Sequence, residues 1–242
     1  MDSSTNAPSA SRSLTSLAFE RLRDDILRGR LAPAERLRIQ ALSEHYQIGP
    51  TAIREALSRL TTEGLVQAED QRGFTVTPVS RDDLIDLTET RIRVEQMALR
   101  MAVQHGDVEW ESLVLSASHR LARAEQQPWT EASLAGWSAA HRQFHDALVV
   151  GCGSPWTLRL SRLLFDQSER YRALSARPAK KRKRDVGGEH RALADAALAR
   201  DADALCKLVD AHFRTTAQLI LENGLAERGA RDLKQPRRSN GG

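Results

Sequence analysis

The sequence predicts a mostly α-helical chain in two parts, an N-terminal winged helix-turn-helix followed by an all-α helical bundle. Three observations carry that prediction. Apolar residues recur at helical spacing from Leu17 onward, one short hairpin pattern closes at Pro78, and no strand pattern follows Val79. A length of 242 residues, with 40% hydrophobic and 28% charged residues, suits two modest globular domains.

In the first part, Leu17, Leu22, Ile26 and Leu27 lie at helical spacing, and Gly29 stops that helix. Pro33 marks a connection. Ala41, Leu42 and Tyr46 suit a short second helix, and Ile48-Gly49-Pro50 reads as a turn. Thr51 is placed to N-cap a third helix whose apolar stripe is Ile53, Ala56, Leu57 and Leu60. Gly64 ends it. Leu65 to Ala68 and Phe74 to Thr77 then flank Asp70-Gln71-Arg72-Gly73, a hairpin with its turn near Gly73.

The second part opens with Ser80 and Asp83 in the positions of a capping box, Asp standing for the usual Glu. The helix it starts carries Leu84, Leu87, Ile92, Met97 and Met101 and stops near Gly106. Asp107 is placed to cap the next, with Leu113, Leu115 and Leu121 as its apolar positions. A third helix spans about Glu131 to Val150 and ends at Gly151-Cys152-Gly153. Ser154 with Pro155 opens a fourth, to about Arg177. A fifth covers Asp185 to Ala199, and a sixth runs from Asp201 to Gly224. The domain boundaries follow: a polar tail at 1–13, the winged domain at 14–79, the all-α domain at 80–225 and a basic tail at 226–242.

Charge by itself argues little. The formal net charge is +4, but Arg177 to Asp185 carries net +5 and Arg231 to Gly242 net +3, so without those two segments it falls to −4. Arg12 to Val79 holds ten arginines against nine acids, so any nucleic-acid binding there rests on placement rather than total charge. The run Lys180-Lys181-Arg182-Lys183-Arg184 reads as a solvated loop with non-specific phosphate affinity at most. No apolar run approaches the roughly 18 residues of a membrane span. Cys152 and Cys206 form no close-spaced motif, which excludes a disulfide scaffold and fits the cytoplasm.

Enzyme classes find no support. His141-x-x-x-His145 has the spacing of a metalloprotease pair, but the next residue is Arg142 rather than a general-base Glu. There is no P-loop and no dinucleotide fingerprint, and Gly151-Cys152-Gly153-Ser154-Pro155 is not a nucleophile elbow.

The stretch Ile53-Arg54-Glu55-Ala56-Leu57, Leu60, Glu63-Gly64-Leu65-Val66 resembles the GntR superfamily of transcription regulators. Arg91-x-x-x-Glu95, Phe144-His145, Glu189-His190 and His212 then resemble its FadR-like branch, which has a helical C-terminal effector domain. Within that branch, Gly151-Cys152-Gly153-Ser154 followed by Arg170-Tyr171-Arg172 is similar to repressors of short-dicarboxylate and 4-aminobutyrate catabolism. The resemblance implies a repressor that binds a double-stranded DNA operator as a homodimer and responds to a small carboxylate.

It also assigns roles. The face of the third helix opposite its apolar stripe offers Thr51, Arg54, Glu55, Ser58 and Arg59, of which Thr51, Arg54 and Ser58 are the expected major-groove residues. Gln40 joins them from the second helix, and Arg72-Gly73 would form the wing tip. Two departures stand out, because Pro50 and Gln40 replace basic residues common in the family. Base contacts therefore do not transfer from relatives.

His141 and His145, four apart, project about 40° from one another on a helix, so both can face one centre. With His190 and His212 they match the family's metal-ligand positions, which implies a divalent transition metal. His141 stands where metal-binding relatives commonly carry Asp. Four neutral imidazoles leave the ion's +2 charge undiminished, which favours Zn or Ni and an anionic extra ligand. Arg91, whose spacing to Glu95 alone predicts an intrahelical ion pair, is implied to meet the effector carboxylate. Arg170 and Arg172 are lesser candidates for that task. His45, His105 and His119 match no site position.

Overall fold

The computed structural model describes residues 13–69, 73–128, 130–175 and 184–222. These fall into two compact units, which meet in the sequence between Val79 and Ser80.

The first unit opens with α1 (Leu14–Leu27), N-capped by Ser13, whose Oγ accepts from the Ser16 N–H at 3.1 Å. It is followed by α2 (Ile39–Tyr46) and α3 (Pro50–Thr62). The predicted stripe Ile53, Ala56, Leu57 and Leu60 is fully buried, packed with Ala18, Leu22 and Ile26 of α1. Thr51 does not cap α3. The N-cap is Gly49, without a side-chain bond, and Pro50 takes the first helical position. Proline's fixed φ and missing N–H suit that position, so the helix starts two residues earlier than the hydroxyl suggests. Gly64, at φ +69, turns the chain out of α3.

The hairpin forms as expected from β2 (Val66–Glu69) and β3 (Gly73–Val76), in antiparallel register from Val66↔Val76 to Glu69↔Gly73. A third strand, β1 (Arg36–Leu37), pairs with β3 and gives the order β1-β3-β2. Two residues carry no readable period, so the sequence offered no sign of β1.

The second unit is all-α among the described residues: α4 (Arg81–His105), α5 (Val108–Glu125), α6 (Glu131–Val150), α7 (Pro155–Ser175), α8 (Val186–Leu198) and α9 (Ala202–Glu222). The caps at Ser80 and Asp107 are those the sequence predicts, whereas Asp185, read as the first residue of its helix, proves to be the cap of α8. Ser80 accepts from the Asp83 N–H at 3.1 Å, Asp107 from Trp110 at 2.9 Å, and Asp185 from Gly188 at 2.8 Å. The box at Ser80 closes differently, however. The Tyr171 hydroxyl donates to the Asp83 carboxylate and itself accepts the Ser80 N–H at 3.3 Å, which ties α7 to the start of α4.

The phase of α5 corrects the sequence reading. Leu113 and Leu115 are exposed, and the buried stripe is Trp110, Val114, Ala117 and Leu121. Trp110 decides this. Its indole donates to the Ala147 carbonyl of α6 at 3.0 Å, and its ring lies so close to Gly106 that a Cβ there would sit 2.3 Å away. Met97 of α4 is likewise exposed rather than in the core, where Ala98, Leu99 and Ala102 pack instead. Among the described residues no helix is long and apolar enough to cross a membrane.

Candidate metal centre and effector cavity

Three helices deliver the four predicted histidines to one point. His141 and His145 come from α6, His190 from α8 and His212 from α9, and all four are buried. One nitrogen from each can be chosen so that all lie within 4.8 Å of one another. Three of the four rings have nitrogens without protein partners. His145 Nδ1 and Nε2, His141 Nδ1 and His190 Nε2 are buried and make no hydrogen bond. Orphaned buried polar atoms are costly, and these three imidazoles together with His212 form a donor set suited to a soft or borderline cation.

Two carboxylates orient the set from behind. Glu125 of α5 accepts from His190 Nδ1 at 2.8 Å, and Glu189 of α8 accepts from His212 Nδ1 at 2.7 Å. Fixing Nδ1–H in this way leaves each Nε2 lone pair free for ligation. Neither carboxylate was assigned a role from the sequence. Glu189 stood beside a predicted ligand, whereas Glu125 gave no signal, because it lies 65 residues from its histidine.

The electrostatics hold the imidazoles neutral, the form that binds metal. Burial, then neighbouring imidazoles and arginines, pushes His141 and His145 well below the ordinary histidine range. Burial lowers His212 to about 4 even though Glu189 pulls it upward. Burial also lifts Glu189, but the hydrogen bonds from His212 and Arg184 outweigh it and bring that carboxyl down to about 2.

A cavity of about 620 Å³ adjoins the cluster and is lined by His141, His145, His212 and Arg91. Arg91 is buried, and its Nε and Nη2 meet no acceptor. Its guanidinium lies 3.8 Å from the Phe213 ring centre and 5.0 Å from that of Phe165. Glu95, one turn along α4, accepts instead from Ser161 Oγ at 2.9 Å. The intrahelical pair that spacing alone predicts does not form, and Arg91 remains a buried cation without a hydrogen-bonded anion.

The lesser candidates separate. Arg172 lines the cavity but is gripped by Glu169 through Nε at 2.8 Å and through Nη2. Arg170 is buried outside the lining and donates to Gln167 at 2.8 Å. Of the basic run, Lys180 to Lys183 lie outside the described residues. Arg184 contradicts the solvated-loop reading: it turns inward, pairs with Glu189 at 2.6 and 2.7 Å and bonds Thr216 Oγ1 at 3.0 Å. The half-buried carboxylate of Glu189 on α8 explains why one arginine of that run leaves the solvent.

On the winged unit, Gln40, Thr51, Arg54 and Ser58 are all exposed. Gln40 donates to Glu44 at 3.1 Å, whereas Arg54 has no ion-pair partner among the described residues. The rest of that helix face is engaged within the fold. Glu55 accepts from Thr15 at 2.7 Å, and Arg59 stacks on Phe19 at 4.2 Å. Gly73 is exposed at φ +87, while Arg72 lies outside the described residues.

A winged helix-turn-helix followed by an all-α unit with a histidine-lined cavity is the architecture of a DNA-binding transcription regulator of the effector-responsive class. Residues 14–76 match the gntR family of bacterial regulatory proteins, and residues 86–215 match the FCD domain. The chain belongs to that family.

Among curated proteins it is 44% identical over 219 residues to the uncharacterized HTH-type transcriptional regulator BphR of Paraburkholderia xenovorans, covering 88% of each chain. It is 36% identical over 211 residues to the HTH-type transcriptional repressor GlaR of Escherichia coli, covering 86% of this chain and 96% of that one. Among solved structures, Escherichia coli McbR/YncC shares the fold at a TM-score of 0.73 and 20% identity, over 88% of this chain and 99% of that one.

Proposed function

We propose that the protein is a cytoplasmic repressor of a catabolic operon that binds a two-fold symmetric operator as a homodimer and is modulated by a small carboxylate. The observation that carries the effector half is the arrangement in the bundle: four buried imidazoles within ligand distance of one centre, three of them with unpartnered nitrogens, beside a buried arginine without an anion. His141, His145, His190 and His212 would hold a divalent transition metal, Zn or Ni. Such an ion supplies a Lewis-acidic site for an anion. Arg91 receives the effector carboxylate through its planar fork, and Glu125 and Glu189 keep the ligand rings in register. The similarity to GlaR, a transcriptional repressor, supports the sign of regulation.

On the DNA side, Thr51, Arg54 and Ser58 face the major groove, with Gln40 beside them and Arg72-Gly73 as the wing tip. Effector binding then acts only through a difference in affinity between the DNA-competent and incompetent states.

Metal analysis of the purified protein, followed by thermal-shift titration with small carboxylates before and after chelation, tests this reading. About one metal per chain and a metal-dependent shift with a carboxylate are expected. A well-folded protein that takes up no metal, with unchanged melting after chelation, would remove the metal from the function.

A further inference from the structure

The cavity carries information about the shape of its ligand as well as its charge. Three arginines line it among the described residues, and two of them are already neutralised at close range: Arg172 by Glu169, and Arg184 by Glu189. The acids that line it are also committed. Glu125 holds His190, and Asp185 caps α8 by accepting the Gly188 N–H. Arg91 alone of the lining cations has no hydrogen-bonded carboxylate, and its Nε and Nη2 are orphaned. Beyond Arg91 and the histidines, much of the wall is aliphatic, contributed by Leu84, Leu134, Val186, Ala217, Leu219 and Ile220. At about 620 Å³ the space far exceeds what a two- or three-carbon acid fills.

From this we infer that the effector is a monoanionic carboxylate with a sizeable apolar body, its one anionic head at Arg91 and the histidine cluster and its body against the aliphatic wall. The inference rests on the proposed carboxylate function and narrows it. It runs against the short-dicarboxylate class that the resemblance implies, and the reason is electrostatic. A second carboxylate on the same body would be desolvated against Leu84 and Ile220, or against arginines whose hydrogen-bonding edges are already taken by Glu169 and Glu189. An ion buried without a partner is selected against more strongly than a missing apolar contact.

Two near-isosteric probes isolate the claim. 4-Methylbenzoate and terephthalate share one body and differ in whether the far end is methyl or carboxylate. Binding to the zinc-loaded full chain is measured by calorimetry for both, with acetate and succinate as short references. The expected result is 4-methylbenzoate at least about tenfold tighter than acetate, from apolar burial, and at least about tenfold tighter than terephthalate. Succinate or terephthalate binding as tightly as 4-methylbenzoate would overturn the inference while leaving the carboxylate reading intact. Zinc uptake with no binding of any of the four acids would overturn both. Glu169→Gln supplies an independent arm: by releasing Arg172 it should shift the 4-methylbenzoate to terephthalate affinity ratio several-fold toward terephthalate. An unchanged ratio in a variant that melts normally would overturn the neutralised-arginine argument.

Discussion

The two units keep their polar groups in opposite places. The core of the winged unit is apolar throughout, from Ala18 and Leu22 to Leu60 and Val76, and its candidate functional groups, Arg54 among them, stand in solvent. The effector unit buries Arg91, Glu95, His141, His145, His190 and His212 within its bundle, several with unsatisfied nitrogens. A surface that reads DNA costs the fold nothing, whereas a pocket that reads an ion or an anion must hold desolvated polar groups in advance. The winged unit is therefore expected to be stable by itself, and the effector unit to be stable in proportion to what it binds. The four tryptophans, all at position 110 or later, let fluorescence report on the effector unit selectively.

Leu57→Ala attacks the comparison from the apolar side and carries the largest expected effect. Removing a fully buried side chain should cost the winged unit about 2–5 kcal/mol. Operator binding should fall while tryptophan fluorescence and zinc uptake stay unchanged. A parallel loss of zinc would mean that the two units do not fold independently.

Zinc should act in the reverse sense. At a thousandfold excess over its dissociation constant, an ion bound only by the folded state adds about 4 kcal/mol, visible in the tryptophan-reported melt. Chelation or His145→Ala should remove that gain, because His145 supplies one of the four ligand nitrogens. His141→Asp should retain it, since a carboxylate replaces one donor with another. If His145→Ala melts like wild type with and without zinc, the cluster is not a metal site.

Acid should distinguish the units next. His212 is held at about 4 in the folded protein against an ordinary value of 6.5, and His141 and His145 are shifted in the same direction. The folded state thus favours neutral imidazole, and that stabilisation, complete above about pH 6.5, is lost as pH falls toward 4. For His212 alone the loss is about 3 kcal/mol in the metal-free protein. The winged unit, whose core cluster is apolar, should hold steady from pH 6.5 to 5. Chemical denaturation at stepped pH, read by fluorescence and by amide exchange in α3, separates the two. Equal slopes would erase the contrast.

The smallest effect belongs to the surface. Arg54→Ala should weaken operator binding by about 1–3 kcal/mol without altering the melt, since Arg54 has no ion-pair partner to lose. Titration at fixed salt checks it, and equal affinities would remove Arg54 from the interface.

What the sequence determined by itself is what is local along the chain. The caps at Ser80 and Asp107, the stripe of α3, the hairpin and the four-residue spacing of His141 and His145 follow from hydrogen bonds and periods within a few residues. Family resemblance extended that reach to His190 and His212. Tertiary structure decided the rest. In α5, leucines at 113 and 115 compete with Trp110, Val114 and Ala117 for the buried face, and periodicity has no means to choose between them. The fit of the Trp110 ring against Gly106 and Gly151 chooses. Glu125 meets His190 across 65 residues, and Arg184 leaves a basic run to reach Glu189. Such partnerships depend on how helices pack, so they become visible only once the bundle has closed and burial makes an unpaired charge costly.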